Sequence, residues 1–381
     1  MTASRILMVA NAEWYFISHD LAIAKALQTR GHEVVVAAGV ERGRDAEIRA
    51  AGLRFVPVNM LRGRFAPQRE LTTGIELARL YRAERPDLIY QTTIKPILYG
   101  SMAARVAGTT RIVNAIPGLG HVFSSTGAGA AVRRWAVELA YGVALAGRRT
   151  RVVFQNDDDR QLFVDRKLVP AARTVVIRGS GVDLRQFVHH PEPAGDGAPI
   201  VLLASRLLWD KGVGQLVDAA RRLREMKIAC RMVIVGIPDP GNPNAVPAAT
   251  LEEWQRDGLV EWWGLRSDMP DVLRRAAIVA LPSHYAEGVP RILLEAAAAG
   301  RPVVTTDTPG CRDAVRAGVS GLLVPPRDVN ALTEALASLL RAPRCRPAMG
   351  LQGRALAEEQ FGEELVTGQM VQLCEELLED A

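Results

Sequence analysis

Short apolar runs alternate with helix-length segments along the whole chain. The first half offers "RILMVA", "EVVVAAG", "RFVPV", "DLIYQT", "RIVNAI", "RVVFQ" and "TVVIRG". Runs that are apolar at nearly every position fit strands buried on both faces, and so a parallel sheet covered by helices. The pattern stops at "HHPEPAGDGAP", residues 189–199, whose Pro and Gly content marks a linker. It then restarts with "IVLLAS", "RMVIVG", "VEWWG", "IVALPS", "PVVTTD" and "GLLVPP". The expected fold is α/β: two successive doubly wound, Rossmann-like domains. The expected division is a first domain at 1–188, the linker at 189–199 and a second domain at 200–361. The tail at 362–381 has the pattern of an amphipathic helix and is expected to pack back toward the first domain.

A length of 381 residues exceeds one ordinary core, which agrees with two domains. No apolar run approaches the roughly 18 to 20 residues needed to span a bilayer, and "RILMVA" opens a strand almost at once. The four cysteines, Cys230, Cys311, Cys345 and Cys374, are dispersed without metal-ligand spacing. Reduced thiols in a cytoplasmic protein are the expectation. Charge is divided unequally. Residues 1–190 carry 27 Lys and Arg against 16 Asp and Glu, a net +11, whereas residues 191–381 carry a net −6. A basic first half suggests an anionic partner.

In an open parallel sheet, ligands gather beyond the carboxyl ends of the strands. In the second half those positions hold Arg206 and Lys211 in "ASRLLWDKG", Gly236, Arg266 in "GLRSD", Glu287 in "SHYAEG", and Thr306 with Asp307. This set suits a nucleoside diphosphate sugar. Arg206 and Lys211 would offset diphosphate charge. A helix starting near Val289 would present free N–H groups to a phosphate, and Gly288 would allow close backbone approach. Glu287 could accept hydrogen bonds from sugar hydroxyls. Glu295, about two turns into the same helix or roughly 10 Å along it, could reach a ribose diol. Each residue alone is more often a surface or capping group, and it is their shared edge that points to a site. "NDDDR" at 156–160 reads as a helix start with its capping residue rather than a metal-ligand pair.

The elements "EGVPRILLE", "SRLLWDKG" and "GLLVPPRDVNALTEAL" together resemble the retaining GT-B glycosyltransferases of family 4, over nearly the whole chain. "TTIKPILYGSMAARVAG" and "NAIPGLGHVFSS" are similar to a narrower group, which adds N-acetylated sugars to undecaprenyl-diphosphate-linked acceptors. The resemblance implies two domains facing a cleft and a UDP-sugar donor. It implies metal-independent transfer with no cofactor, and a lipid-linked saccharide acceptor. It places Glu287 on the donor sugar, Glu295 on the ribose, Arg206 and Lys211 on the diphosphate, and His121 of "GLGHVF" across the cleft. Base recognition would use the backbone near Gly264 and Arg266. The sequence departs from the family at "VANAEWYFISHD", which lacks the Gly-Gly turn. There Asn11, Trp14 and His19 could line the acceptor site, or Trp14 and Phe16 could fill core.

Two basic stretches also carry aromatics: Arg62, Arg64, Phe65 and Arg69 in one, and Arg133, Arg134 and Trp135 in the other. Beside a lipid-linked acceptor they read as anchors to the anionic inner face of the plasma membrane. No nucleic-acid motif occurs. The competing expectations are a non-hydrolysing UDP-sugar epimerase and an inactive assembly subunit.

Overall fold

The computed structural model describes residues 3–60, 67–120, 128–192, 197–239, 241–285 and 287–379. The chain divides into two compact units, Met1–Ser180 with Glu364–Ala381, and Gly181–Glu363. Each is a parallel sheet with helices on both faces.

The first unit contains, in chain order, β1 (Arg5–Ala12), α1 (Glu13–His19), α2 (Leu21–Thr29), β2 (Glu33–Gly39), α3 (Asp45–Ala50), β3 (Arg54–Pro57) and α4 (Pro67–Glu84). There follow β4 (Leu88–Thr92), α5 (Ser101–Ala107), β5 (Ile112–Ile116), α6 (Ala128–Ala144), β6 (Thr150–Phe154), α7 (Asp157–Asp165) and β7 (Thr174–Val176). The strand order is β3-β2-β1-β4-β5-β6-β7, so the direction of winding reverses between β1 and β4. Side chains alternate across the sheet. Ile6, Met8 and Ala10 of β1 pack with Phe16, Leu27 and Ile48 on one face. Leu7 and Val9 pack with Leu77, Tyr81 and Ala104 of α4 and α5 on the other.

The second unit contains β8 (Ile200–Ala204), α8 (Val213–Glu225), β9 (Arg231–Val235), α9 (Ala248–Arg256), β10 (Glu261–Trp262), α10 (Met269–Arg275) and β11 (Ile278–Leu281). It continues with α11 (Arg291–Ala298), β12 (Val303–Thr306), β13 (Gly321–Val324), α12 (Val329–Arg341) and α13 (Cys345–Leu356). The order β10-β9-β8-β11-β12-β13 again reverses beside its first strand. Leu202 and Ala204 face α10 and α11, while Val201 and Leu203 face α8 and α12.

The last helix, α14 (Glu363–Glu379), belongs to the first unit from Glu364 onward. Its Val366, Met370, Cys374 and Leu377 lie in the same core as β1 and β2.

The boundary between the units falls at Ser180 and Gly181, earlier than the Pro and Gly content at 189–199 indicates. The reason is packing. Val182 and Phe187 are buried in the second core, the Val182 amide donates to the Phe361 carbonyl at 2.8 Å, and Arg346 grips Glu192 through two nitrogens at 2.6 and 2.8 Å. The described part of the Pro-rich segment is therefore a strap tied to the second unit. Among the described residues no helix is long and apolar enough to cross a membrane.

Candidate functional site

The carboxyl edge of the second sheet brings together the turns after β8, β9, β11 and β12, and glycines set how closely they approach. Gly236 has φ +131°, and a Cβ there would lie 2.0 Å from the Ser205 carbonyl oxygen. Gly212 has φ +77° with the Pro282 carbonyl oxygen 2.2 Å from a built Cβ, and Gly310 has φ +79° with the Gly288 carbonyl oxygen at 1.7 Å. No other residue fits these contacts without moving backbone. The β8 turn is thus pressed against the β11 turn, and the β12 turn against residues 287–288.

That packing delivers Lys211 to Glu287. The Lys211 ammonium pairs with Glu287 Oε2, and the two side chains are only 10% and 11% exposed. The second oxygen of Glu287 accepts from the Ser283 hydroxyl at 2.6 Å. Lys211 also sits over the Tyr285 ring, 5.6 Å from its centre. Arg206, a third exposed, pairs with Asp239 at 3.3 Å. These two cations therefore lie on one edge with a carboxylate each.

Glu295 is buried and accepts from Arg291 Nε at 2.8 Å, one helical turn earlier. Burial raises its pKa above the ordinary carboxylate value, against the opposing pull of Arg291. The helix begins at Arg291, with Pro290 at the N-cap, rather than near Val289. Proline favours an extended conformation in the residue before it, so Gly288 and Val289 stay in the loop. Glu295 is consequently about one turn, or roughly 6 Å, into α11 instead of two. Arg266 lies after β10 and pairs with Asp268 through Nε at 2.7 Å and through Nη2.

His284 stands inside "SHYAEG" without a motif signal of its own, yet it joins two turns of the site. Its amide donates to the Asp210 carbonyl at 2.9 Å, and its ring Nε2 lies 3.5 Å from the Asp210 carboxylate. Burial, with Arg327 nearby, lowers the His284 pKa despite Asp210. Asp210 also accepts from Asn244 at 2.8 Å. Asp210 thereby fastens the Lys211 turn to the Glu287 loop.

In the first unit, Asn11 is the penultimate residue of β1, with its side-chain oxygen buried and without a hydrogen-bond partner among the described residues. Phe16 fills core, while Trp14 is half-buried and donates to Glu41 at 2.9 Å. Glu13, also unremarked in the sequence, is fully buried and accepts from the Glu41 amide at 2.8 Å and from that of Arg42. Desolvation acts to raise its pKa, but these backbone bonds prevail and hold it low. His19 stacks on Tyr15 with ring centres 4.1 Å apart. Asn156 caps α7 by accepting from the Asp159 amide at 2.7 Å, which accounts for "NDDDR". Among the described residues no group of three His, Cys, Asp or Glu is arranged to hold a metal. His121, Arg62, Arg64 and Phe65 lie outside the described residues, as does the side chain of Arg69.

Family models match both halves: "Glycosyl transferase 4-like" over residues 5–156 and "Glycosyl transferases group 1" over residues 198–342. The chain belongs to the family 4 glycosyltransferases of GT-B fold. This glycosyltransferase is 25% identical, over 99% of its length and all of the relative's, to N,N'-diacetylbacillosaminyl-diphospho-undecaprenol alpha-1,3-N-acetylgalactosaminyltransferase of Campylobacter jejuni. It is also 25% identical, over 70% of each chain, to UDP-Gal:alpha-D-GlcNAc-diphosphoundecaprenol alpha-1,3-galactosyltransferase of Escherichia coli. In fold it is similar to Anabaena Alr3699/HepE in complex with UDP, with a TM-score of 0.77 at 19% identity over 98% of this chain and all of the other. Sucrose-phosphate synthase of Thermosynechococcus elongatus gives 0.80 at 19% identity over 99% and 100%.

Proposed function

We propose that this glycosyltransferase moves an N-acetylhexosamine from a UDP-sugar to an undecaprenyl-diphosphate-linked saccharide, with retention at the anomeric carbon and without a metal ion. The observation that supports this reading is that Arg206 and Lys211 lie on one strand edge, each paired with a carboxylate, Glu287 among them. Two relatives whose names specify undecaprenol-linked substrates support the acceptor class. The named UDP donor of one of them, and the UDP bound in the Anabaena structure, support the nucleotide.

In this reading Arg206 and Lys211 bind the diphosphate, and the Gly288 and Val289 segment approaches it through backbone. Glu287 accepts from sugar hydroxyls, Glu295 from the ribose diol, and the segment near Arg266 meets the base. Asn11 is a further substrate-binding residue and His121 a further catalytic one in this reading. The bond from the anomeric carbon to the UDP oxygen breaks as the bond to the acceptor oxygen forms on the same face. The acceptor proton passes to the departing phosphate, and the cations stabilise the charge that develops there. The enzyme works peripherally at an anionic membrane surface.

The test is a panel of UDP-, GDP- and dTDP-sugars with and without undecaprenyl-diphosphate-linked mono- and disaccharides. UDP release that requires both a UDP-N-acetylhexosamine and the lipid-linked acceptor supports the reading. Conversion of the UDP-sugar with no acceptor would replace it with an epimerase.

A further inference from the structure

Helices α4, α5 and α6 cover one face of the first sheet side by side. Arg82 of α4 donates to the Val106 carbonyl of α5 at 3.2 Å, and Arg105 of α5 donates to the Val143 carbonyl and, at 3.3 Å, to that of Ala144, all at the end of α6. A helix that covers a sheet in water should turn its polar side outward. These three depart from that, with large apolar side chains exposed among the cations. On α6, Val132, Trp135, Leu139 and Val143 recur every three or four residues and are all exposed, Val132 by 67% and Trp135 by 66%. On α4 and α5, Leu71 with Ile75 and Met102 with Val106 are exposed at four-residue spacing. Helices α1, α2 and α3, which pack on the opposite face, expose no large apolar side chain among the described residues.

The charges on these three helices have one sign available. Every carboxylate is engaged: Glu70 with Lys95 at 2.8 Å, Glu76 with the Asn59 amide at 3.0 Å, Glu84 with Arg54 at 2.7 Å, and Glu138 with Arg166. Arg79, Arg82, Arg105 and Arg133 are exposed. Exposed apolar side chains on three neighbouring helices, with exposed guanidinium groups on the same helices, match an anionic bilayer, where the apolar side chains enter the acyl boundary and the cations meet lipid phosphates. A second copy of the chain fits less well, because a two-fold contact through this face would oppose like charges.

We infer that the outward face of α4, α5 and α6 is the surface on which the enzyme lies against anionic phospholipid. This rests on the proposed use of a lipid-linked acceptor and adds where that acceptor enters. The amino ends of the three helices follow the carboxyl ends of β3, β4 and β5, the edge at which a ligand of the first sheet gathers. Leu71 and Val132 are the fifth residues of α4 and α6 and so bring the membrane near that edge, while Met102 lies further along a helix that continues from a π-helical turn at Pro96–Gly100. The polyprenyl chain can stay in the bilayer while its saccharide enters the site.

The experiment is sedimentation of the full-length protein with vesicles of phosphatidylcholine containing phosphatidylglycerol, at low and high salt, with pure phosphatidylcholine as control. Wild type should sediment with the anionic vesicles at low salt only. Arg133→Ala should weaken binding about five-fold, as expected for one cation near the surface. The double variant V132E/L139E, altered only at exposed positions, should melt like wild type and no longer sediment. No substrate is needed, so the result stands apart from failure of the donor and acceptor assignment. Equal sedimentation of wild type and V132E/L139E would overturn the inference. So would a wild-type dimer that ignores vesicles and is dissociated by V132E/L139E, which would make the face a contact between copies.

Discussion

Lys211 and Glu287 are 76 residues apart in sequence, yet they form a nearly dehydrated ion pair on the edge of the second sheet. Removing one member of a buried pair strands the other charge, at a cost of about 3–5 kcal/mol, whereas removing both costs much less. Lys211→Met and Glu287→Gln should each lower the melting temperature, and K211M/E287Q should recover most of it. All three should lose at least about a hundred-fold in kcat/KM if these groups stabilise the departing diphosphate and hold the sugar. Melting curves and initial rates separate the two effects. A double variant no more stable than either single one would refute the pairing, and full turnover by Glu287→Gln would refute the site.

Gly310 and Gly318 offer a matched comparison, since both have positive φ, +79° and +73°. Alanine at either position carries the left-handed penalty of about 1–2 kcal/mol. Only Gly310 also faces backbone, with the Gly288 carbonyl oxygen 1.7 Å from a built Cβ, while nothing lies within 4 Å at Gly318. Gly310→Ala should therefore displace the 287–288 turn and raise the KM for donor, and Gly318→Ala should lower stability without changing KM. Equal KM values in the two variants would show that the close approach does not shape the donor site.

The division into two parallel sheets was legible because strands buried on both faces leave unbroken apolar runs, as in "IVLLA" of β8 and "EVVVAAG" of β2. Positions at strand ends were legible for the same reason, which is why Arg206, Lys211 and Glu287 could be gathered on one edge from their place in the chain. Their partners were not. Asp239 meets Arg206 and Asp210 meets His284 only because Gly212 and Gly236 let neighbouring turns interlock, and such contacts leave no periodic trace. The Pro-rich segment misplaced the boundary because proline marks irregular backbone whether or not that backbone is tied down, and here Arg346 holds it through Glu192. Trp135 was legible as an exposed aromatic beside Arg133 and Arg134, but the rest of the α6 stripe was hidden by its own periodicity: Val132 and Leu139 have the spacing of a core-facing helix.

Arg206 and its partner lead to a prediction about the guanidinium fork. Arg206→Lys keeps the charge but loses bidentate contact with phosphate oxygens, so kcat/KM should fall about ten-fold. Asp239→Asn removes a part-exposed pair worth about 0.2–1 kcal/mol and should leave melting almost unchanged. Turnover by wild type should persist in EDTA, because under the proposed mechanism side-chain cations carry the diphosphate charge. Loss of activity in EDTA that added Mg2+ restores would replace that mechanism with a metal-assisted one.

Asp20, at the junction of α1 and α2, supplies a test of pH dependence. An aspartate at the N-cap of a helix ordinarily accepts a backbone N–H, but Asp20 makes no such bond. It points inward instead and accepts from the Tyr90 hydroxyl at 3.0 Å, with no partner for its second oxygen among the described residues. It lines a cavity of about 30 Å³ with Tyr15, His19 and Tyr90. Desolvation raises its pKa to about 7, against the Tyr90 bond, which lowers it. Burial also raises the pKa values of Tyr15 and Tyr90, so both remain neutral. A carboxyl whose folded pKa exceeds its unfolded value binds more protons when folded. Its stabilising effect is complete below about pH 4 and is lost as pH rises to about 7, a difference on the order of 4 kcal/mol for roughly three units. Asp20→Asn, which mimics the neutral acid, should remove this dependence. Urea unfolding between pH 5 and pH 8 should show the variant gaining on wild type as pH rises, and parallel curves would mean that Asp20 titrates as an ordinary aspartate.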